Sequence, residues 1–402
     1  MQVLIVGAGV AGPVAAMALQ QAGIEARVVE AYPRRDGAVG SHFNIAPNGL
    51  RALDTVGALA LAKSAGFPTR QNAMWNERGH LLGTLSLGRA LPDGTAAQTM
   101  RRSRLTQLLT DEALRRGIPV DFGRRLTGAT PGRAGRVVAT FDDGTEVEAD
   151  LLVGADGVHS VVRRLIDPAA PRGRYVGLTN FGGVTSGVRL SAAPETWHLV
   201  FGRHAFFGYH ISAPDHVVWF ANVPRDPISV EERESTSHDG WRAKLVRMFA
   251  DDDSPATLLI NQGSFDLVAD NTHDLPHVPH WRRGPMVIIG DAAHAPAPTS
   301  GQGASMAMED GIVLAQALRD SPGINAALAS YEGLRRRRVE RIVAMGARGS
   351  NYKSPGRIGR MVRDAMLRAV FRFAMTEKSL GWLYDYRVAW NTPIPAGDIV
   401  KS

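Results

Sequence analysis

The chain has 402 residues, 44% apolar and 21% charged, enough for two or three domains with a sizeable core, which excludes a disordered chain or a small stapled scaffold. Its 46 Lys and Arg against 39 Asp and Glu leave a net charge of +7, a mild excess whose placement matters more than its total. There is no cysteine, so disulfides, Cys-ligated zinc, iron–sulfur clusters, a thiol nucleophile and a cysteinyl cofactor tether are excluded, and any redox chemistry has to come from a bound organic cofactor.

From the N-terminus, Gln2–Val6 is a short apolar run ending in glycines, the pattern of a buried parallel strand. Val10–Ala22 reads as a helix closed by Gly23, and Ala26–Glu30 as a second strand, so the first thirty residues form a βαβ unit. Met1–Ile24 carries no charge, but it lacks the basic start of a signal peptide and is interrupted by Gly7, Gly9, Gly12 and Pro13. With no apolar run of about 20 residues elsewhere, a cytoplasmic, soluble protein without a membrane span is expected. Residues 48–65 and 103–116 are amphipathic and predicted helical. Val137–Phe141 and Glu146–Ala149 flank Asp142-Asp143-Gly144 as a hairpin. Leu151–Val153 and Met286–Ile289 read as buried strands, and residues 182–223 between them as an inserted antiparallel sheet rich in aromatic and β-branched residues. Residues 303–318 and 326–347 are predicted helices, and 357–383 is a basic amphipathic stretch whose apolar stripe, with Met361, Met366, Val370, Phe371 and Phe373, is expected to cover the inserted sheet, the alternatives being a membrane-surface helix, a lid or a dimer contact. The arginine run Arg335–Arg338 spreads around a helix and reads as a solvated or internally paired face, not a nucleic-acid site.

Gly7-Ala8-Gly9-Val10-Ala11-Gly12 follows a strand and opens a helix. Gly7 permits the tight turn, Gly9 a close approach to pyrophosphate, and Gly12 close helix–strand packing, while the helix N-terminus offers free N–H groups to phosphate. Glu30, 18 residues beyond Gly12, stands where a ribose hydroxyl would be accepted. These features predict dinucleotide binding. Gly290-Asp291 ends a strand and leads through Pro298 to Gly301-Gln302-Gly303, a turn that offers N–H donors before a helix with Glu309-Asp310. Asp156-Gly157 ends another strand. No second strand–GxGxxG–helix unit, Trp-x-Trp-x-Ile-Pro box, Gly-x-Ser-x-Gly elbow or metal-ligand spacing is found.

The order and spacing of these segments resemble the FAD-dependent monooxygenases of the para-hydroxybenzoate hydroxylase family, over residues 1 to about 350. The resemblance implies an α/β fold: a Rossmann-like FAD-binding domain (1–170 and 276–350), an inserted antiparallel β-sheet substrate domain (171–275, with part arising from about 70–100), and a C-terminal helical segment (351–402). It implies that Gly7, Gly9, Val10, Ala11, Gly12 and Glu30 hold the ADP half of a non-covalent FAD, with the backbone at Leu126 touching adenine. Arg102 matches an arginine that contacts the flavin's phosphate or ribityl region, although Arg104 stands where the family has an acid. Asp156 supports the pyrophosphate and nicotinamide use, Asp291 binds the ribityl chain, and Pro298, Gly301, Gln302 and Gly303 lie against the isoalloxazine. Arg335 and Arg338 match a motif in the downstream helix.

The chemistry so implied is reduction of the flavin by NADPH or NADH, then oxygen insertion from a flavin hydroperoxide, hydroxylating an aromatic or polycyclic ring or epoxidising an alkene. The alternative is a reductase or dehydrogenase of the same fold without oxygen insertion. Substrate-facing candidates are His42, in the segment Val39–Ile45 where Asn44 shares its alternation, and Tyr209, preferred over His210 on the opposite face of the same strand. Trp197, Phe201, Phe207, Tyr209, Trp219 and Phe220 would form an apolar wall for an aromatic or polyene substrate. Dioxygen is the co-substrate, no nucleic acid is expected, and the chain is read as a monomer or homodimer.

Overall fold

The computed structural model describes residues 1–34, 40–349 and 356–394. A six-stranded sheet runs in the order Arg282–Arg283, Met286–Ile288, Leu151–Gly154, Gln2–Val6, Glu25–Glu30 and Val120–Phe122, parallel except at its first pair. Its central strands are near-continuous apolar runs because both faces are covered. On one face the helix Ala11–Gln21 crosses the helix Gly303–Asp320 so closely that a Cβ on Gly311 would lie 2.9 Å from the Ala15 backbone. Two strands from the middle of the chain and two from its last third thus complete a sheet started at residue 2, and the strand ends converge on the glycine-rich turns.

The predicted hairpin forms and recruits Leu126–Pro131 as a third antiparallel strand. The predicted helix over 48–65 does not run through. It divides into Pro47–Thr55 and Leu59–Ala65, because Gly57 takes the left-handed conformation (φ +69°) that terminates a helix.

The inserted sheet has seven strands, ordered Ser264–Asp274, Arg174–Ser186, His216–Pro224, Phe206–Ala213, Thr196–Phe201, Gln71–Asn76 and Leu81–Ser86. Two of them come from residues 71–86, and the only parallel pair joins Thr196–Phe201 to Gln71–Asn76. One face packs on the helices His238–Phe249 and Ala256–Gln262 and forms a separate core around Phe207, Trp219, Trp241 and Phe249. The other face looks toward the first domain and toward a small antiparallel sheet of His42–Ile45, Ala97–Arg101 and Phe67–Thr69.

Beyond Gly349 the described chain forms the helix Arg357–Ala369, a π-turn over Val370–Ala374 and the helix Glu377–Tyr384. Residues 350–355 and 395–402 of the expected C-terminal segment lie outside the described residues. The expectation that the apolar stripe of this stretch covers the inserted sheet is corrected: Phe371 and Leu367 turn inward, but Met361, Met366 and Phe373 are exposed. Electrostatics cause the reversal. Glu77, itself buried, takes Arg360 (3.1 Å) and Arg363 (3.2 Å), while Asn76 Nδ2 donates to Asp364 (2.7 Å), so the charged face is turned in.

Candidate active site

The first glycine turn has the geometry its sequence demands. Gly7 sits at φ +108°, and a Cβ there would run into the carbonyl of Ala155. A Cβ on Gly12 would strike the carbonyl of Gly7, whereas one on Gly9 would meet nothing within 4 Å. Gly9 therefore faces open space in front of a helix whose N-cap residue, Val10, gives no side-chain cap and whose first turn, opening at Ala11, carries no acid. Free N–H groups at a positive helix end beside an empty approach suit a pyrophosphate. Glu30 is fixed next to it: its Oε2 accepts the Ala8 N–H (2.8 Å) and its Oε1 the Tyr32 N–H (2.9 Å). The Arg124 N–H donates to the Glu30 carbonyl (2.9 Å), which brings the buried Leu126 to the same end of the sheet. These residues fit the ADP half of a dinucleotide.

The second turn lies across from it. Asp291 and Arg102 face each other, Oδ2 to Nη2 at 3.9 Å. Pro298–Ser300 forms a 3-10 turn, Gly301 is left-handed (φ +59°), and a Cβ on Gly303 would come within 3.7 Å of Asp291 Oδ1. The helix Gly303–Asp320 again starts without a side-chain cap or an acid in its first turn. Gln302 is buried and turned away, its Oε1 accepting from Asn48 Nδ2 (2.9 Å), and the N–H groups of Gly301 and Gln302 are taken by the Pro298 carbonyl (3.0 Å) and Ser300 Oγ (3.2 Å), so the donors on offer are the backbone N–H groups of the uncapped helix start at Gly303. An acceptor for polyol hydroxyls and N–H donors for an electron-rich ring edge thus share one rim, which fits the ribityl and ring portions of FAD.

What holds this rim is a buried ion network. Asp310 accepts the Gly290 N–H (2.8 Å), touches His294 Nε2 (2.5 Å) and accepts from Arg335 Nε (2.7 Å). Burial alone would push the Asp310 carboxyl up, but His294 and Arg335 outweigh it and hold it down at about 2. Glu309 pairs with Arg335 (2.8 Å) and Arg338 (3.0 Å) and accepts from Asn48 (2.7 Å). Arg335, Arg336 and Arg338 of the arginine run are internally paired, with Arg335 fully buried, while Arg337 is exposed.

Asp156 is held by the helix that follows it. Its Oδ2 accepts the N–H groups of Val161 (2.6 Å) and Val162 (3.1 Å), capping the helix Val161–Ile166, and its Oδ1 is buried without a partner. Burial pushes its carboxyl up against these hydrogen bonds. The next turn carries a residue the sequence reading missed. Arg163 is buried and donates to the carbonyls of Val158 (2.7 Å), Pro171 (3.1 Å) and Ala292 (2.9 Å), tying the Asp156 turn to the Asp291 turn. Nothing in composition separated it from its neighbour Arg164.

On the substrate side, His42 is half-buried and its ring lies 6.4 Å from Phe67, which lies 4.7 Å from His210. Burial, then the charge of Arg101, lowers the His42 pKa to about 3; burial lowers that of His210 to about 4. Both are neutral imidazoles at neutral pH. Behind them runs a buried hydrogen-bonded chain, His210 Nε2 to Thr69 Oγ1 (3.2 Å), to Thr99 Oγ1 (2.8 Å), to Trp197 Nε1 (3.0 Å). Arg101 of the same small sheet is engaged by Asp266 (2.8 Å). Strand alternation divides the predicted aromatic wall in two. Trp197 and Phe220 (ring centroids 5.3 Å apart) lie on the inner face with His210. Phe207, Tyr209 and Trp219 lie on the outer face, where Tyr209 stacks on His198 (4.9 Å). The preference for Tyr209 is therefore corrected, since the register of Phe206–Ala213 turns its neighbour His210 toward His42. Residue 39, the start of the expected substrate segment, lies outside the described residues. Among the described residues no group of three His, Asp or Glu side chains is placed to hold a metal ion, and no helix is long and apolar enough to cross a membrane.

A family model described as FAD binding domain matches residues 1–345. The chain is similar to the aurachin C monooxygenase/isomerase of Stigmatella aurantiaca, 32% identical over 352 residues that cover 85% of this chain and 87% of that one. It is also 31% identical to the FAD-dependent urate hydroxylase of Klebsiella pneumoniae over 348 residues, covering 85% and 88%. A crystal structure of Klebsiella pneumoniae HpxO complexed with FAD and uric acid matches with a TM-score of 0.81 at 26% identity, over 95% of this chain and 97% of that one.

Proposed function

The chain belongs to the FAD binding domain family and is a FAD-dependent aromatic monooxygenase, and from that premise we propose that it hydroxylates a planar, uncharged aromatic or polycyclic substrate held against His42. The observation that carries this reading is the pair of neutral imidazoles, His42 and His210, on a face whose arginine is already engaged by Asp266. Among the described residues such a face offers hydrogen bonds and ring contacts but no free cation for a substrate carboxylate.

When bound, FAD accepts hydride from NAD(P)H and activates dioxygen. Overall, substrate C–H, dioxygen, NAD(P)H and a proton become C–OH, water and NAD(P)+. Gly7, Gly9, Val10, Ala11 and Gly12 with Glu30 and Leu126 hold the ADP half, and Arg102, Asp291, Pro298, Gly301, Gln302 and Gly303 the flavin side. Asp156 supports the pyrophosphate side, and Arg163 clamps the two turns together. His42, neutral, accepts a hydrogen bond from a ring hydroxyl or N–H of the substrate and so raises electron density at the carbon to be attacked. Phe67 and Phe220 exclude water from that carbon. Residues 1–170 and 276–350 form the cofactor unit, and 171–275 with the strands near 70–100 the substrate unit. The compartment is the cytoplasm, and the chain works as a monomer or homodimer.

The test is NAD(P)H oxidation and product mass across matched pairs of phenols and heteroaromatics with and without a ring carboxylate. The reading expects coupled hydroxylation of the neutral member of each pair. Preference for the carboxylated members would overturn it.

A further inference from the structure

The helix Arg357–Ala369 is mounted inside out. Its charged residues Arg360, Arg363 and Asp364 are turned inward and bound to Glu77 and Asn76. At 3.6 residues per turn, Ile358, Met361, Val362, Ala365, Met366 and Ala369 then share the outward face, continued by Phe373 in the π-turn. Ile358 is 80%, Met361 68% and Phe373 74% exposed, an apolar strip of a kind that isolated surface residues do not make. Arg368 and Arg372 border it along one edge, both exposed. Between Gly356 and Thr376 the sole acidic residue is Asp364, and it is buried.

We propose that this strip rests in the interface of an anionic lipid membrane, with its apolar side chains at the headgroup boundary and Arg368 and Arg372 on the phosphates. An exposed apolar face bordered only by cations complements such a surface. A second copy of the chain is the poorer occupant. An antiparallel pairing of this helix about a two-fold axis sets one arginine edge beside the other, and a parallel pairing finds no exposed acid to meet them. The proposal concerns lying on a membrane, not crossing it, and is independent of the substrate reading above.

Flotation of the full FAD-loaded chain with vesicles tests it. The chain should float with phosphatidylcholine vesicles containing about 30% phosphatidylglycerol and stay behind with pure phosphatidylcholine, with binding weakened by salt. Met361→Glu and Phe373→Glu should each weaken binding about tenfold, and Arg368→Ala or Arg372→Ala about fivefold each. All four variants should keep the flavin content and turnover of the parent, since none touches the cofactor or substrate rim. Absence of flotation on anionic vesicles by the parent chain overturns the proposal. So does a dimer in light scattering that Met361→Glu splits into monomers, which would assign the strip to a second copy.

Discussion

The cofactor rim and the substrate face are built by different means. On the cofactor side, two glycine turns end parallel strands, and their shape follows from local backbone sterics: Gly7 and Gly12 are glycines because a Cβ would strike a carbonyl. Behind the second turn stands a buried ion network of Glu309, Asp310, His294, Arg335 and Arg338. On the substrate side the shape depends on which strands pair and in what register, and the groups there are neutral imidazoles and aromatic rings beside the Arg101–Asp266 ion pair. The first region is rigid and specified within short segments; the second is assembled over long sequence distances and is the place where related enzymes can differ. Four expectations press on that contrast.

The largest concerns the network. Arg335→Met leaves Glu309 and Asp310 buried with a lost partner, which should cost about 3–5 kcal/mol and release flavin; thermal unfolding with flavin fluorescence measures both. A loss below about 1 kcal/mol would mean that the network does not hold the rim.

Next is the glycine turn. Gly9→Ala places a methyl in open space, so the apo-protein should keep its unfolding temperature while FAD affinity falls by about tenfold or more, close to 1.4 kcal/mol. Gly7→Ala, by contrast, should destabilise the apo-protein itself, because φ +108° and the Ala155 carbonyl both oppose a side chain. Equal behaviour of the two variants in calorimetry and flavin titration would break the assignment of Gly9 to the phosphates.

On the substrate face, His42→Gln should lower kcat/KM about tenfold without loss of flavin, while Tyr209→Phe, on the outer core, should change it by less than about 0.5 kcal/mol. A large effect at Tyr209 would put the substrate on the wrong side of the sheet for this account.

A fourth check is with pH. The His42 pKa falls from 6.5 to about 3 on folding, so between those values the unfolded chain binds a proton that the folded chain does not. Stability from this group is therefore complete above about 6.5 and is lost as pH falls toward 3. The slope is at most about 1.4 kcal/mol per pH unit, and smaller because the ring is only half-buried. His42→Gln should flatten the acid limb of a denaturant titration series.

How much of this was legible in the sequence follows the same division. The turn at Gly7 and the close packing at Gly12 could be read because each belongs to a short segment with a fixed geometric duty. The strand pairing that sets Tyr209 outward and His210 inward was not legible: alternation says that they differ, and only the register against His216–Pro224 and Thr196–Phe201 says which way. The break at Gly57 was present as a glycine but not as a left-handed one. Arg163 could not be told from Arg164. The reversed mounting of Arg357–Ala369 depends on Glu77, 283 residues before Arg360, and no periodicity within the helix foretells a buried acid so far away.

The central claim is that the chain inserts one atom of dioxygen into a ring presented at His42. Turnover under isotopically labelled dioxygen, with the neutral aromatic that supports the tightest coupling of NAD(P)H oxidation, tests it most directly. The account predicts one labelled oxygen atom in the product, with the yield reduced in His42→Gln and unchanged in Tyr209→Phe. Product formed without label, or formed equally well without dioxygen, would contradict it.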